Sequence, residues 1–169
     1  MRIVDIVDAI GMGLGATLLI DLWGFFLNRA FDVRSLDLCL LGRWVLYIPH
    51  GTIVHQSIMA TPPRAHECQV GWTAHYLIGT TFALLFLLIV SPAWLTHPTL
   101  LPALLFGVAT VVFPFFTMQP SFGLGIAASK TPRPNRARLK SLMTHSVFGV
   151  GLYLWAVVLR FALFPAAGG

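Results

Sequence analysis

Four side chains able to exchange protons, ligate metals or hydrogen-bond a solute stand in otherwise apolar stretches: Asp21, His75, Gln119 and His145. Asp21 lies in TLLIDLWGFF, whose other nine residues carry no charge. A carboxylate in such a run is costly unless it meets a partner or a wet cavity, so it marks either a site or a contact between helices. Tyr76 follows His75 and brings a phenol to the same level.

Several chemistries fit these residue types. Asp21, His75 and His145 together suit a divalent metal such as zinc, with Gln119 or water in an open position, although no HxxxH or ExxH pair accompanies them. His75 and His145, entering from the same side on parallel helices, suit the axial positions of a b-type haem in a four-helix bundle. An Asp/His pair beside a water-filled cavity binds and releases protons, as a proton-coupled carrier or acid-sensing switch requires. The same contacts can also serve only to hold helices in register. All four readings stay open at the level of sequence.

The elements that must position these groups are legible from composition. The 169 residues are 57% hydrophobic and 10% charged, far more apolar than a water-soluble domain. The apolar residues fall into runs that predict membrane spans over about 6–27, 70–90, 100–118 and 142–164. Roughly 20 residues, at about 1.5 Å each, cross a hydrocarbon core of about 30 Å. The first run is too long for a signal peptide, Arg2 before it is followed by Asp5 and Asp8, and no small-x-small cleavage site comes after it, so it is expected to be retained. The chain reads as a single membrane domain over 1–169.

Each span has a small or polar face. Gly13, Thr17, Asp21, Gly24 and Asn28 follow helical spacing in the first; Trp72, His75, Tyr76, Gly79 and Thr80 form the second. The third offers Thr110, Pro114, Thr117, Met118 and then Gln119, and the fourth Ser141, His145 and Gly149. Because successive spans alternate direction, Asp21 and His75 fall at one depth, roughly 7 to 9 Å inside the same boundary. Gly11, Gly15, Gly79 and Gly149 are candidates for close helix packing, and the Gly11/Gly15 face leaves room for a homodimer.

Basic residues report topology rather than nucleic-acid binding. Arg29, Arg34, Arg43 and Arg64 lie between the first two spans, and Lys130, Arg133, Arg136, Arg138 and Lys140 between the last two, while SPAWLTHPT has none. The positive-inside rule then makes both basic loops cytoplasmic and both termini periplasmic. Within the first loop, SLDLCLLGRWVLYI predicts an interfacial or re-entrant helix over about 36–48, too short to span. Cys39 and Cys68 share that cytoplasmic loop and are expected to remain unpaired. Its histidines, His50, His55 and His66, match no standard metal-finger spacing. GMGLGA lies inside a span with no preceding strand, which excludes a dinucleotide loop, and nothing resembles a nucleophile elbow.

The segments GLGATLLIDLWG, LLGRWV, GWTAHYLIGT, PTLLPALLFGVATVVFPFFTMQPSFGLGIAASKTPRPNRARLKSL and THSVFGVGLYL together resemble a bacterial membrane-protein family, domain of unknown function 2938, from about Val7 to Leu159. The resemblance implies a small bacterial inner-membrane protein of four helices and brings no activity with it. Asp21, His75, Met118, Gln119, Pro120 and His145 fall within the matching motifs, whereas His66 and Cys68 do not.

The expected protein is therefore all-α: an integral membrane four-helix bundle, multi-pass, with an additional helix in the first cytoplasmic loop and the lipid bilayer as its partner. The expected site is a cytoplasm-facing polar pocket of Asp21, His75, Tyr76, Gln119 and His145 that binds or moves a small polar solute, proton or metal ion. A membrane oxidoreductase or hydrolase holding a metal or haem b is one alternative, and a structural or partner-binding subunit without a ligand is another.

Overall fold

Each long apolar run becomes a helix, the form in which a backbone satisfies its hydrogen bonds within one segment. The computed structural model describes residues 2–163. Its five principal helices are α1 (Ile3–Phe31), α2 (Leu38–Tyr47), α3 (Glu67–Val90), α4 (Leu100–Ala109) and α5 (Pro134–Leu163), and there is no strand among the described residues. Four helical segments are long and apolar enough to cross a membrane: Ile3–Phe31, Glu67–Val90, Leu100–Ser121 and Pro134–Phe161.

Local signals set the ends. At the end of α1, Asp32 turns left-handed, and the Asp32 and Val33 amides return to the carbonyls of Asn28 and Leu27. Helix α2 starts where the Asp37 carboxylate accepts from the Cys39 amide, within the predicted segment 36–48. Helix α5 begins at Pro134, well before the expected 142, because proline suits a first helical turn and ARLKSL continues with good helix formers that hydropathy does not register. Phe164, the predicted last residue of that span, lies outside the described residues.

The third segment is not a regular helix throughout. After α4 the chain loosens at Thr110 and Val111, then forms a π-helical turn over Pro114–Met118 and a short α turn over Gln119–Ser121. Pro114 has no N–H for the Thr110 carbonyl, which takes the Phe113 amide at 3.1 Å instead. The kink expected from Pro114 thus appears as a change of helical pitch that re-aims Gln119.

Three seams of the bundle are closed by small residues. A Cβ on Gly13 would lie 2.9 Å from the Thr80 nitrogen, fixing α1 on α3, and one on Gly151 would lie 2.7 Å from the Ala16 Cα, fixing α1 on α5. A Cβ on Gly149 would stand 2.6 Å from the Ala103 carbonyl oxygen, fixing α4 on α5. Such close backbone approach is the usual way helices associate in lipid, where burial against tails gives no hydrophobic advantage. Of the four predicted packing glycines, Gly149 meets backbone in this way, Gly15 lies under the Trp155 indole and Gly79 against the Thr17 side chain, while Gly11 has open space around it.

The fourth seam differs. Between α3 and the third apolar segment the contact is made by aromatic rings, Phe86 with Phe106 of α4 at 5.2 Å and Phe82 with Phe113 beyond it at 6.1 Å, and Phe82 also meets Phe148 of α5 at 6.2 Å. Rings hold helices farther apart than glycines do. Leu14, Leu18, Leu22 and Phe25 meanwhile leave an exposed apolar stripe on the outside of α1. Apolar side chains outward and small ones inward are what a lipid-embedded bundle requires.

Helix α2 packs across the start of α3 through Gly42 and Gly71, so tightly that a Cβ on Gly42 would stand 2.5 Å from the Gly71 nitrogen. This approach corrects the expectation for the cysteines: Cys39 and Cys68 form a disulfide. Loop length and compartment gave no hint that two helix starts would be superposed by glycines. The Arg43 guanidinium grips both oxygens of Glu67 at 2.8 and 2.7 Å and donates to the carbonyls of Ile58 and Thr61 at 3.2 and 2.8 Å. The Glu67 carboxylate holds Arg43 above its ordinary pKa. Beneath, Leu41, Trp44, Ile58 and Phe122 form a second core separate from that of the bundle.

Candidate functional site

Between the two cores lies a cavity of about 610 Å³. Its walls run from Phe82 and Phe148, at the aromatic seam, to Leu41 and Phe122 of the lower core. Asp21, His75, Gln119 and His145 all line it. Tyr76, expected with them, is not among its lining residues.

Helix α1 supplies Asp21 because the Gly13–Thr17–Asp21 face is turned against α3. A Cβ on Gly79 would meet Thr17 Oγ1, and the Thr17 hydroxyl itself donates to the Gly13 carbonyl at 2.7 Å. One turn further, Asp21 Oδ1 lies 3.0 Å from His75 Nε2, and Oδ2 accepts from the Tyr76 hydroxyl at 2.8 Å. The His75 and Asp21 side chains are 20% and 22% exposed, open to the cavity but not to bulk solvent on all sides. Trp72, one turn below, sets its ring 6.4 Å from Tyr76 and 6.3 Å from His75. The pair is thus oriented by an aromatic cluster on a single helix face.

His145 sits on α5 beside the loosened end of α4. Its Nδ1 is 2.7 Å from Thr110 Oγ1, which is itself 2.6 Å from the Gly107 carbonyl oxygen. Two oxygens that close require the hydroxyl proton between them. Nδ1 must then carry a proton and donate to Thr110. Gln119, only 6% exposed, donates from Nε2 to the Ser141 hydroxyl at 3.3 Å, while its Oε1 is buried without a partner.

The structure joins Asp21, His75 and Tyr76 and sets Gln119 and His145 on other walls of the same cavity. His145 does not join Asp21 and His75 as a cluster, and among the described residues no three His, Cys, Asp or Glu side chains come together as metal ligands. For a haem, α3 and α5 do stand across the bundle from each other, but His75 turns its Nε2 onto Asp21. Of the loop histidines, His55 is buried with Nδ1 3.1 Å from Thr61 Oγ1 and its ring against Tyr47. Sequence reading missed Trp23, whose Nε1 is buried without a partner in the cavity wall, and Lys140, whose Nζ donates to the Arg34 carbonyl at the cavity edge. Trp23 is a single aromatic among many, and Lys140 reads as a topology charge; neither carries a spacing signal.

An all-helical chain whose four longest apolar segments surround one cavity is compatible with a multi-pass membrane protein. The chain belongs to the family described as protein of unknown function (DUF2938), which matches residues 10–159. No curated protein and no solved structure matches it.

Proposed function

We propose that this protein is a bacterial inner-membrane protein, a single membrane domain, whose cavity opens toward the cytoplasm and binds or moves a small polar solute, with Asp21 and His75 as the proton-exchanging groups. The observation that carries this reading is the Asp21–His75 pair on the wall of a cavity large enough for a solute, with Tyr76 on the second carboxylate oxygen. An Asp/His pair exchanges protons near neutral pH when water or a ligand can reach it. The basic segments around Arg29, Arg34 and Lys130 to Lys140 support a cytoplasmic opening, with α2 lying along that interface.

The test uses proteoliposomes loaded with a pH-sensitive dye under an imposed potassium diffusion potential. Protein-dependent proton movement should fall by about tenfold or more in Asp21→Asn, which removes the charge and keeps the shape. Equal flux in wild type and Asp21→Asn, with both variants folded, would sink proton exchange through Asp21.

A further inference from the structure

The Cys39–Cys68 bond joins the first turn of α2 to the first turn of α3, across a sequence separation of 29. Its two halves have different surroundings. Cys68 is exposed, and Arg64, His66 and Gln69 beside it are exposed and polar, so this side of the bond faces water. Cys39 is half-buried and lines the cavity that also takes in Asp21 and His75, whereas Cys68 does not line it. A thiol arriving from solution therefore meets Cys68 first.

The contacts around the bond do not depend on it. The Gly42–Gly71 crossing brings the two helices into backbone contact, and the Arg43 guanidinium grips Glu67, the residue before Cys68, at 2.8 and 2.7 Å. Leu41, Trp44, Ile58 and Phe122 close a core beneath. Opening the S–S bond leaves these contacts in place, so the two thiols stay beside each other and can close again. Groups held together by their frame react as if highly concentrated, which makes passage between dithiol and disulfide reversible.

Compartment gives such a pair its use. Arg29, Arg34, Arg43 and Arg64, around it in sequence, favour a cytoplasmic position. Disulfides that form in the cytoplasm are usually transient, catalytic or redox-sensing, because the thiol pool there reduces the rest.

We infer that Cys39–Cys68 is a redox-active pair that exchanges with cytoplasmic thiols, Cys68 being the sulfur attacked and Cys39 the one released. The inference rests on the proposed cytoplasmic orientation. A donor thiolate attacks Cys68 Sγ; the bond to Cys39 breaks as a mixed disulfide forms on Cys68, and Cys39 keeps the electron pair and takes up a proton. A second donor thiolate attacks the donor sulfur of the mixed disulfide and releases Cys68, which takes up a proton in turn. The pair has then gained two electrons, and the two protons that the donor thiols gave up, while the donor leaves as its own disulfide. The reverse sequence, starting from a donor disulfide, recloses the bond.

The test uses the full-length protein in lipid nanodiscs, with glutathione as the donor. After brief exposure, acid quenching and maleimide alkylation, peptide mass spectrometry should find glutathione on Cys68 over Cys39 by about tenfold or more, access deciding which sulfur is attacked. At equilibrium, buffers spanning cytosolic ratios of glutathione to its disulfide should move the pair between mostly open and mostly closed, with the circular dichroism of the helices unchanged. Glutathione found mainly on Cys39 would overturn the direction of attack. A bond that stays closed throughout, or opens only with loss of helix, would overturn redox activity and leave a structural crosslink. Where resolution is too fast for an adduct to be trapped, the equilibrium alone decides. Both readouts are independent of which way the protein faces: exchange intact with the pair on the outer side in cells would overturn the cytoplasmic donor alone, and neither result bears on proton exchange at Asp21.

Discussion

His75 and Asp21, 54 residues apart in sequence, meet with Nε2 3.0 Å from Oδ1. The next residue on α3, Tyr76, takes the other carboxylate oxygen at 2.8 Å. Both carboxylate oxygens are thereby directed at α3, which makes the contact a clamp between α1 and α3. A clamp role and a site role differ in what substitution does to stability and to flux.

The clamp has a measurable strength. Polar contacts between helices in lipid couple by about 0.6 kcal/mol on average and up to about 1.7. A double-mutant cycle of Asp21→Asn and His75→Gln, followed by unfolding in mixed micelles, should give a coupling energy in that range. A coupling near zero would mean the pair does not hold the helices together. Stability unaffected by Asp21→Asn with proton flux lost would assign the carboxylate to exchange alone.

Glycine substitutions should separate the two kinds of helix surface. A Cβ at Gly149 would stand 2.6 Å from the Ala103 carbonyl oxygen and 2.8 Å from the Leu104 Cα, and backbone cannot rotate away as a side chain does. Gly149→Ala should cost about 1 to 3 kcal/mol by overpacking. At Gly11 nothing lies within 4 Å, so Gly11→Ala should be neutral or gain up to about 1 kcal/mol of helix stability. Equal loss in the two variants would contradict the seams described above. A loss confined to self-association in Gly11→Ala would instead place a homodimer contact on that face.

What the sequence made legible follows from the length and spacing of its apolar runs. Hydrophobic runs and 3.6-residue spacing suffice to place Asp21, His75 and Tyr76 on facing helices at one depth, because antiparallel neighbours share a level. Pairwise partners are another matter. Thr110 as the acceptor for His145 depends on the loosened backbone ahead of Pro114, and the stranded Gln119 carbonyl depends on the π-helical turn; no residue pattern encodes either pitch. The Cys39–Cys68 bond depends on how closely Gly42 and Gly71 let two helices cross, a quantity that loop length does not contain.

The cysteines also test the orientation. A cytoplasmic loop is kept reduced, whereas a periplasmic one is oxidised. If the basic loops are inside, as the charge distribution favours, the Cys39–Cys68 pair in intact cells should be labelled by a permeant maleimide once reduced and should resist an impermeant one even after reduction. Labelling by the impermeant reagent only after reduction would show an oxidised pair on the outer side, invert the topology and turn the cavity mouth to the periplasm.

The Arg43–Glu67 contact should be the most sensitive element outside the bundle. Both side chains are 12% exposed, and the guanidinium serves four acceptors: two carboxylate oxygens and the carbonyls of Ile58 and Thr61. Removing one partner of a largely buried pair strands the other, so Arg43→Met should cost about 3 kcal/mol. Lysine restores a charge but not the planar fork, so Arg43→Lys should still cost roughly 1 to 2 kcal/mol through unmade hydrogen bonds. The double variant Arg43→Met/Glu67→Met removes the stranded carboxylate and should regain part of the loss. Full recovery would mean the two carbonyl contacts contribute nothing, whereas no recovery would mean that the guanidinium matters only as their anchor. Stability of Arg43→Lys equal to wild type, measured by the same micelle unfolding, would rule out the four-acceptor account.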